Sequence, residues 1–365
     1  MKLAIILGTR PEIIKMSPII RACNSRSDLE YFILHTGQHY SYELDQKMLD
    51  DLELQAPKYN LGVGEQPYRK QIGLMTKNIM NILSQEKPDI VLVQGDTISV
   101  LSGALAANKL GIKIGHHEAG LRSHDLTMIE ETNRIITDHI SDYLFAPTPD
   151  AYKNLKEEGL TEDKIYFTGN TVVDALYQNI KLADRKVNIL AKLKLDKKKY
   201  IVATAHRAEN VDNRKRLHGI LVGLYLTARE LNLPIIYPLH PRTLKNIRIF
   251  NLKVPRNIRF LPPLGYLEFL QLEARAKLII TDSGGMQEEA CIFKVPCVTV
   301  RDNTERPETV DAQVNILAGA DPQKILDSAA AMLEREHVWI NPFGDGHAAE
   351  KILNSLCNKL NNKNI

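Results

Sequence analysis

Cysteine is scarce in this chain, and long apolar runs are absent from its sequence. Among 365 residues there are four cysteines, Cys23, Cys291, Cys297 and Cys357, and no two of them form a C-x-x-C pair. This usage excludes a disulfide framework and is typical of a reducing compartment. No run reaches the ~18 apolar residues of a membrane-spanning helix, and the first apolar run, in MKLAIILGTR, is too short for a signal peptide. We therefore expect a cytoplasmic protein.

Several functional signatures are also missing. The net charge is only +3, and no basic stripe with interleaved aromatic residues suggests a nucleic-acid surface. There is no H-E-x-x-H or D-x-D motif, and the consecutive residues His116, His117 and Glu118 cannot all face one ion from a strand. The sequence has no G-x-S-x-G elbow of a serine hydrolase, and its first turn has one glycine instead of G-x-G-x-x-G. We expect no metal and no redox cofactor.

Short apolar runs alternate with amphipathic segments along the whole chain. Strands are predicted in two series, at 2–9, 31–37, 89–96, 113–120, 143–148 and 164–170, and at 200–206, 234–240, 258–264, 276–282 and 296–301. Uniformly apolar strands separated by helices indicate a parallel sheet covered on both faces. The sequence thus predicts an α/β protein with two doubly wound, Rossmann-like domains, 1–169 and 170–345. A last helical segment, 346–365, is expected to cross back onto the first domain.

Polar residues follow the ends of these strands. In open parallel sheets, ligands bind outside the carboxyl ends of the strands. The polar strand ends are therefore candidates for a site, and they would line a cleft if the two sheet edges face each other. The clearest ends are Thr9-Arg10, Gly37-Gln38-His39, Gly95-Asp96-Thr97, Glu118-Ala119-Gly120, His206-Arg207, His240-Pro241-Arg242 and Asp282-Ser283-Gly284-Gly285.

The stretch TDSGGMQEEACIF, residues 281–293, carries the features of an anion site. A helix start binds phosphate through unpaired N–H groups, and glycines let the ligand approach the backbone. The glutamates suit neutral hydroxyls, such as those of a ribose, at a distance from the phosphates. A tight turn with a solvated acidic face would explain the same residues.

Other candidates each have a structural alternative. Arg10 and Lys15 could reach an anion, or Lys15 could pair with Glu12 in an exposed helix cap. An aspartate such as Asp96 often caps a helix, whereas a glutamate at a strand end caps poorly, which favours a functional role for Glu118.

Two further pairs are predicted on the same grounds. Glu130 and Arg134 are four residues apart on a predicted helix and should meet on one face, where the alternative is a surface ion pair. His206 beside Arg207 at a strand end suits a phosphate contact or a proton-transfer group, although a lone histidine is more often structural.

In this order, the motifs resemble those of the non-hydrolysing UDP-N-acetylglucosamine 2-epimerases. The matching blocks cover nearly the whole chain: GTRPE (8–12), TGQH (36–39), QGDT (94–97), EAGLR (118–122), EE-x-NR (130–134), HR-x-EN (206–210), DSGG-x-QEE (282–289), TERPE (304–308) and GDG-x-A (344–348). The resemblance implies two Rossmann-like domains facing across a cleft, as in GT-B sugar-nucleotide glycosyltransferases. It also implies a homodimer in polysaccharide precursor synthesis that uses UDP-N-acetylglucosamine, UDP-N-acetylmannosamine and UDP, with no nucleic-acid or membrane partner.

The resemblance also assigns nucleotide contacts. Ser283, Gly284 and Gly285 hold the UDP diphosphate, and Glu289 accepts hydrogen bonds from the ribose. Further substrate positions are Arg10, Lys15, Arg134, Leu264, Phe269 and Arg306, of which Leu264 and Phe269 present backbone to the uracil.

A second, regulatory copy of the substrate is implied at four positions, Gln38, His39, Arg207 and His240. The chain departs from the family there. A glutamine expected shortly after TGQH has no obvious equivalent in YSYE (40–43), and Ala208 stands where an arginine is usual. Ile129 replaces a proline before the paired glutamates, and the loop 123–128 looks short, without an evident effect on catalysis.

The implied reaction is epimerisation at C2. No carbonyl adjoins C2, so its hydrogen is not acidic until UDP leaves C1. Loss of UDP with the C2 proton gives a glycal, and re-addition with the proton on the opposite face inverts C2. The resemblance makes four residues catalytic, Asp96, Glu118, Glu130 and His206, with Asp96 and a glutamate expected on the two faces of the ring. The rivals are a GT-B glycosyltransferase, a hydrolysing epimerase and, less favoured, a non-catalytic sugar-nucleotide sensor.

Overall fold

Both series of apolar runs form parallel sheets. The computed structural model describes residues 1–38, 42–65, 67–336 and 338–361. The chain divides into two units, of which the first comprises Met1–Gln178 and Phe343–Ile365 and the second comprises Asn179–Pro342. Each unit contains one sheet, so the α/β fold with two parallel-sheet domains is confirmed.

The first sheet has seven strands, β1 (Lys2–Leu7), β2 (Glu30–His35), β3 (Tyr59–Asn60), β4 (Ile90–Gln94), β5 (Lys113–His117), β6 (Tyr143–Ala146) and β7 (Ile165–Phe167). The second has six, β8 (Ile201–Thr204), β9 (Ile235–Pro238), β10 (Ile258–Leu261), β11 (Leu278–Thr281), β12 (Cys297–Thr299) and β13 (Asn315–Leu317). The sheet orders are β3-β2-β1-β4-β5-β6-β7 and β10-β9-β8-β11-β12-β13. Order therefore reverses between β1 and β4 in one sheet and between β8 and β11 in the other.

Helices connect the strands in chain order. They are α1 (Arg10–Asn24), α2 (Tyr42–Asp51), α3 (Tyr68–Glu86), α4 (Ile98–Lys109), α5 (Ile129–Ile140), α6 (Pro149–Glu157), α7 (Thr171–Lys186), α8 (Ile189–Leu193), α9 (Ala208–Val211), α10 (Arg214–Glu230), α11 (Pro241–Ile249), α12 (Tyr266–Ala274), α13 (Gly284–Ile292), α14 (Pro307–Asp311), α15 (Pro322–Glu334) and α16 (Ala348–Asn361). None of those formed by the described residues combines the length and apolar character that a membrane crossing requires.

Uniformly apolar strands are explained by burial on both sheet faces. Along β8 and the residue before it, Tyr200 and Val202 belong to one buried cluster, while Ile201 and Ala203 belong to another. Successive side chains of a strand point to opposite faces, so both faces of the second sheet are covered.

The unit boundaries lie at 178 and 342, where the sequence suggested 169 and 345. A contact explains why the start of α7 stays with the first unit. The Asp174 carboxylate in α7 accepts hydrogen bonds from the backbone N–H groups of Ala348 (3.2 Å) and Ala349 (2.9 Å) at the start of α16. Arg26 Nη1, after α1, donates to Asn354 Oδ1 over 2.8 Å. The C-terminal helix therefore packs within the first unit.

Candidate active site

One carboxyl group holds the turn between β1 and α1. Glu12 Oε2 accepts from the backbone N–H groups of Gly8 (2.5 Å) and Thr9 (2.9 Å), and Oε1 accepts from Thr97 Oγ1 over 2.5 Å. Gly8 must be small, because a Cβ there would lie 2.1 Å from Thr36 Oγ1. Glu12 thus ties the loop after β1 to the loop after β4, at the point where ligands bind in open α/β sheets.

Glu12 is buried, so it does not form the exposed cap with Lys15 that the sequence allowed. Burial raises the pKa of Glu12 to about 7, outweighing its hydrogen bonds to Thr97, Gly8 and Thr9, and the nearby Asp96 charge raises it further. The site therefore contains a carboxyl group that titrates near neutral pH.

Glu118 lies directly after β5 and is held by three side chains. Its Oε1 pairs with Lys15 Nζ (2.6 Å) and accepts from Asn170 Nδ2 (2.9 Å), while Gln94 Nε2 donates to Oε2. Its φ is +66°, in the left-handed region that non-glycine residues seldom adopt. The strand ends at His117, so strict alternation does not extend to Glu118.

The charge state of Glu118 follows from these partners. Burial raises its pKa, but the Lys15 ammonium, the adjacent His117 and the hydrogen bonds from Lys15 and Asn170 outweigh burial and bring the pKa to about 2. His117, also buried, has its pKa lowered to about 4 by desolvation and is neutral. Glu118 is therefore a fixed anion at neutral pH.

Asp96 follows β4 at the switch point and is about one-third exposed. Its Oδ2 forms an ion pair with Arg134 Nη2 on α5, and its backbone carbonyl accepts from Asn133 Nδ2 over 2.8 Å. Arg134 Nη1 also contacts Glu131 Oε2 at 2.8 Å. Two side chains of α5 therefore hold the Asp96 loop, and its carboxylate remains accessible.

Glu130 and Arg134 both lie on α5, as predicted, but these two described residues do not form the surface ion pair that the sequence left as the alternative. The buried residue of the glutamate pair is Glu131, whose carboxylate accepts from the backbone N–H groups of Ser123 and His124. Arg134 pairs with Glu131 and with Asp96 instead. Glu130 is exposed in the first turn of α5, and no other described residue donates a hydrogen bond to its carboxylate.

A buried group of hydrogen-bonded side chains supports the loop after β5. His116 Nδ1 lies 2.6 Å from Asp138 Oδ1, and its Nε2 lies 2.8 Å from the Gly95 carbonyl. Arg122 Nη2 contacts Asp138 Oδ2 at 2.7 Å, and Gly120 N–H donates to the same oxygen. His116 and Arg122 thus have structural roles, and His116 connects the loop after β5 to Gly95 of the QGDT motif.

In the second unit, Asp282 anchors the loop after β8. It is fully buried, and its carboxylate accepts from the backbone N–H groups of His206 and Arg207 and from Asn210 Nδ2 (3.1 Å). Thr204 Oγ1 and Thr281 Oγ1 lie 2.7 Å apart at the ends of the two strands. The motifs HR-x-EN and DSGG are therefore joined at the second switch point.

His206 is partly exposed, and three neighbouring charged or titratable groups affect its pKa. Desolvation lowers its pKa, Asp282 opposes this with Oδ1 at 3.3 Å from Nδ1, and His240 and Arg207 lower it further. The rings of His206 and His240 are 5.8 Å apart. Nδ1 faces Asp282, an arrangement that orients the ring for contact with an anion or for proton transfer.

The start of α13 has the open backbone expected of an anion site. Ser283 is the N-cap and accepts from Met286 N–H at 3.4 Å. A Cβ at Gly284 would have its nearest neighbours at 4.0 Å, in Arg207 and Glu305, and one at Gly285 would meet Ser283 Oγ at 3.9 Å. Neither glycine is required by packing or by a positive φ. The missing side chains leave room for a ligand instead.

Arginines lie near this helix start. Arg207 Nη2 is 3.7 Å from Glu305 Oε2, and Arg306 Nε is 2.6 Å from Glu288 Oε1. Arg301 is buried between Glu209 (2.8 Å) and Glu305. The two remaining cationic side chains, Arg207 and Arg306, are partly exposed and can exchange a carboxylate for a phosphate.

The remaining predicted positions are placed as follows. Leu264 and Phe269 pack against the buried cluster beneath α12 and α13, and Glu289 is half-buried on α13. Arg10 is exposed at the start of α1. Gln38 Oε1 accepts from Ser99 Oγ over 2.7 Å. His39 lies outside the described residues.

Sequence reasoning missed several residues that build the site. Asn170 and Gln94 bind Glu118 directly, and Asp282 positions His206. Gln94 and Asp282 are within motifs, so their position was a signal, but Asn170 lies 52 residues from Glu118 and no local pattern connects them. Among the described residues, no three His, Cys, Asp or Glu side chains are grouped as metal ligands would be.

Known 2-epimerases of UDP-linked sugars resemble this chain in sequence over nearly its whole length. A family model described as UDP-N-acetylglucosamine 2-epimerase matches residues 21–357. A UDP-N-acetylglucosamine 2-epimerase of Methanococcus maripaludis is 52% identical over 359 residues, 97% of each chain. A UDP-2,3-diacetamido-2,3-dideoxy-D-glucuronate 2-epimerase of Pseudomonas aeruginosa is 40% identical over 98% of this chain and 99% of its own.

Solved structures agree with the fold. The Methanocaldococcus jannaschii UDP-GlcNAc 2-epimerase, in complex with UDP-GlcNAc and UDP, superimposes with a TM-score of 0.84 at 51% identity, covering 98% of this chain and 99% of that one. A lipopolysaccharide outer core galactosyltransferase shares the fold at 16% identity and a TM-score of 0.55, covering 98% of this chain and 100% of its own. The GT-B-like fold class is therefore confirmed.

Proposed function

Because the chain belongs to the UDP-N-acetylglucosamine 2-epimerase family, we propose that it interconverts UDP-N-acetylglucosamine and UDP-N-acetylmannosamine by inverting C2 of the sugar. The observation that carries the proposal is the match over nearly the full length, at 52% identity to an epimerase of that name. The switch points of both sheets carry the matching motifs.

The UDP site is proposed at the start of α13. Ser283, Gly284 and Gly285 offer backbone N–H groups to the diphosphate, supported by the open space above both glycines. Glu289, one turn further, accepts from the ribose hydroxyls. Leu264 and Phe269 present backbone to the uracil, and Arg10 and Arg306 contact the nucleotide.

Elimination requires that UDP leaves C1 as the proton leaves C2. The electron pair of the C2–H bond then forms the C1–C2 double bond of a glycal, and the C1–O pair departs with UDP. Re-addition returns UDP to C1 and a proton to the opposite face of C2. His206, oriented by Asp282, stabilises the departing diphosphate charge in this proposal.

The proton-transfer groups are proposed among Asp96, Glu118 and Glu130. Asp96 and Glu130 are the more accessible carboxyl groups. Glu118 is a buried anion with Lys15 against it, an arrangement suited to stabilising positive charge at C1 or to accepting a proton after Lys15 moves. Arg134 holds the Asp96 carboxylate and Lys15 holds that of Glu118, and these two residues are the proposed substrate-side cations.

A second candidate substrate is favoured by the Pseudomonas aeruginosa relative. At 40% identity it bears the name of a 2-epimerase acting on a UDP-linked diacetamido uronate. Both substrates share UDP and a 2-acetamido group, so the same elimination serves either. The higher identity to the N-acetylglucosamine enzyme favours UDP-N-acetylglucosamine here.

Incubation with each UDP-sugar alone, in heavy water, tests the function. We expect UDP-N-acetylmannosamine from UDP-N-acetylglucosamine, with deuterium at C2 and no net release of free UDP. Stoichiometric free UDP would indicate a hydrolysing epimerase, and absence of turnover until an acceptor is added would indicate a glycosyltransferase. Epimer without deuterium would contradict proton exchange with solvent. Binding without turnover of any UDP-sugar would indicate a sensor.

Three further properties are proposed from the resemblance. A second UDP-N-acetylglucosamine binds at Gln38, His39, Arg207 and His240, the protein is a homodimer, and it functions in the cytoplasm, where its four unpaired cysteines remain reduced. Light scattering coupled to gel filtration measures the oligomeric state directly.

A further inference from the structure

A second carboxyl group lies behind the proposed ribose-binding residue. Glu273, near the end of α12, is 1% exposed. Both of its carboxyl oxygens are buried, and neither meets a hydrogen-bond donor among the described residues. A buried carboxylate without a hydrogen-bond donor or a counterion is strongly unfavourable, so Glu273 is not explained as an ordinary ionised carboxylate.

The neighbour of Glu273 is the carboxyl group of Glu289, within hydrogen-bonding reach. Two carboxylates accept and cannot donate, so they bond to each other only when one carries a proton. Burial first, and then the Glu289 charge and contact, raise the pKa of Glu273 well above its ordinary value. The more buried group is the one that holds the proton, because desolvation disfavours its charged form most.

We propose that Glu273 is a positioning residue that stays protonated. It donates a hydrogen bond to the carboxylate of Glu289, and that carboxylate accepts a hydrogen bond from a ribose hydroxyl. This rests on the proposed function, since it uses Glu289 as the ribose contact. The protonated acid fixes the orientation of the Glu289 carboxylate. It also keeps the pair at a charge of −1 instead of −2, which reduces repulsion of the diphosphate at the start of α13.

Two substitutions at position 273 separate this role from simple packing. Glu273→Gln keeps the volume and an N–H donor towards Glu289, whereas Glu273→Leu keeps the volume but removes the donor. Calorimetric affinities are measured for UDP and for its 2′-deoxy and 3′-deoxy analogues, with thermal unfolding of each variant as the folding control. In the wild type, we expect loss of the recognised hydroxyl to weaken binding about ten- to a hundredfold.

The expected pattern is specific to positioning. The Gln variant should discriminate between UDP and the deoxy analogue within about threefold of wild type, while the Leu variant should bind UDP about tenfold more weakly and discriminate less than about threefold. A folded Leu variant with wild-type discrimination overturns the proposal and leaves the proposed function intact. Wild-type protein that binds UDP without discrimination overturns the ribose role of Glu289 and this inference with it. Wild-type protein that does not bind UDP contradicts the proposed function itself.

Infrared spectroscopy provides a measurement that does not depend on the Leu variant. The wild type at neutral pH should show a protonated-carboxyl stretch that is absent from the Gln variant. If the two spectra are identical in that region, Glu273 is not a neutral acid and the proposal fails.

Discussion

Three carboxyl groups at the switch point of the first sheet lie in different electrostatic environments. Glu12 and Glu118 are both buried, and burial raises the pKa of Glu12 to about 7. Burial is also the largest single effect on Glu118, but Lys15, His117 and Asn170 together outweigh it and bring the pKa of Glu118 to about 2. Asp96 is partly exposed and paired with Arg134. Environments that separate the pKa values of neighbouring carboxyl groups allow an acid and a base to coexist at one pH.

Asp96→Asn tests the residue most accessible to a substrate. The amide retains the volume and can still accept from Arg134, but it cannot take up a proton. We expect turnover to fall about a hundredfold or more, with UDP affinity within a few-fold of wild type. Steady-state rates and calorimetry measure the two effects, and Asp150→Asn, at an exposed helix start, serves as a control. Near-wild-type turnover would remove Asp96 from the mechanism.

Glu12→Gln tests the buried acid through stability. Between the ordinary pKa near 4.5 and the folded value of about 7, folded Glu12 holds a proton that the unfolded chain has lost. Its contribution is therefore complete at low pH and is lost as pH rises through 7, at about 1.4 kcal/mol per pH unit within that window. Glutamine mimics the protonated form, with its oxygen towards Gly8 and Thr9 and its amide towards Thr97.

Melting temperatures at pH 5 and pH 7.5 check this expectation. The variant should gain stability relative to wild type as pH rises, because all other titrating groups are common to both proteins. Parallel curves for the two proteins would show that Glu12 is ionised throughout.

At the start of helix α13, the residue type that would favour folding differs from the one that ligand binding is expected to need. Alanine is the better helix former, and a Cβ at Gly284 or Gly285 meets only ordinary contacts. We expect Gly284→Ala or Gly285→Ala to leave stability unchanged or raise it by up to about 1 kcal/mol, while UDP affinity falls ten- to a hundredfold. Melting temperature and calorimetry measure both. Unchanged UDP affinity would place the diphosphate elsewhere.

Gly8→Ala is a matched control, for which we expect the opposite effect on stability. Gly8→Ala would place its Cβ 2.1 Å from Thr36 Oγ1 in the first sheet, so stability should fall. The contrast distinguishes a glycine kept for packing from glycines kept for a ligand.

The long apolar elements could be predicted from sequence, but the shortest could not. Every predicted strand is present, because Ile, Val and Leu runs signal burial on both faces. The edge strands β3 and β13 were missed, since Tyr59–Asn60 and Asn315–Leu317 are too short to show a pattern. Motifs identified the strand ends, but the partner of each side chain depends on tertiary packing. Helical spacing thus identified that Glu130 and Arg134 share a helix, but it did not identify Asp96 and Glu131 as the ion-pair partners of Arg134.

At the scale of the whole chain, the two units share the same reversal of strand order and the same kind of buried carboxyl group at the switch point. Each sheet reverses its order between its first and fourth strands. In each unit, one buried carboxylate joins the loops at that point, Glu12 in the first and Asp282 in the second. The first unit adds the candidate acid and base groups, and the second adds the open helix start.

Regulation by a second substrate molecule is the last property predicted for the whole enzyme. Of the positions implied, Gln38 is bonded to Ser99, and His240 lies 5.8 Å from His206, ring to ring. One expected glutamine has no equivalent, and Ala208 lacks the usual charge. Losing one or two hydrogen bonds to a polar ligand costs about 1–3 kcal/mol, or about ten- to a hundredfold in affinity. A weakened regulatory site is therefore expected.

The consequence is a shallow dependence on UDP-N-acetylglucosamine. A ligand shifts a conformational equilibrium only by its differential affinity for the two states, so weaker binding gives weaker activation at a given concentration. The forward curve should be slightly sigmoidal, and the reverse reaction from UDP-N-acetylmannosamine should be slow until some UDP-N-acetylglucosamine is present. Initial rates in both directions measure this, and His240→Ala should weaken the activation further. A hyperbolic forward curve, with a reverse rate indifferent to added UDP-N-acetylglucosamine, would show that catalysis in this protein requires no effector.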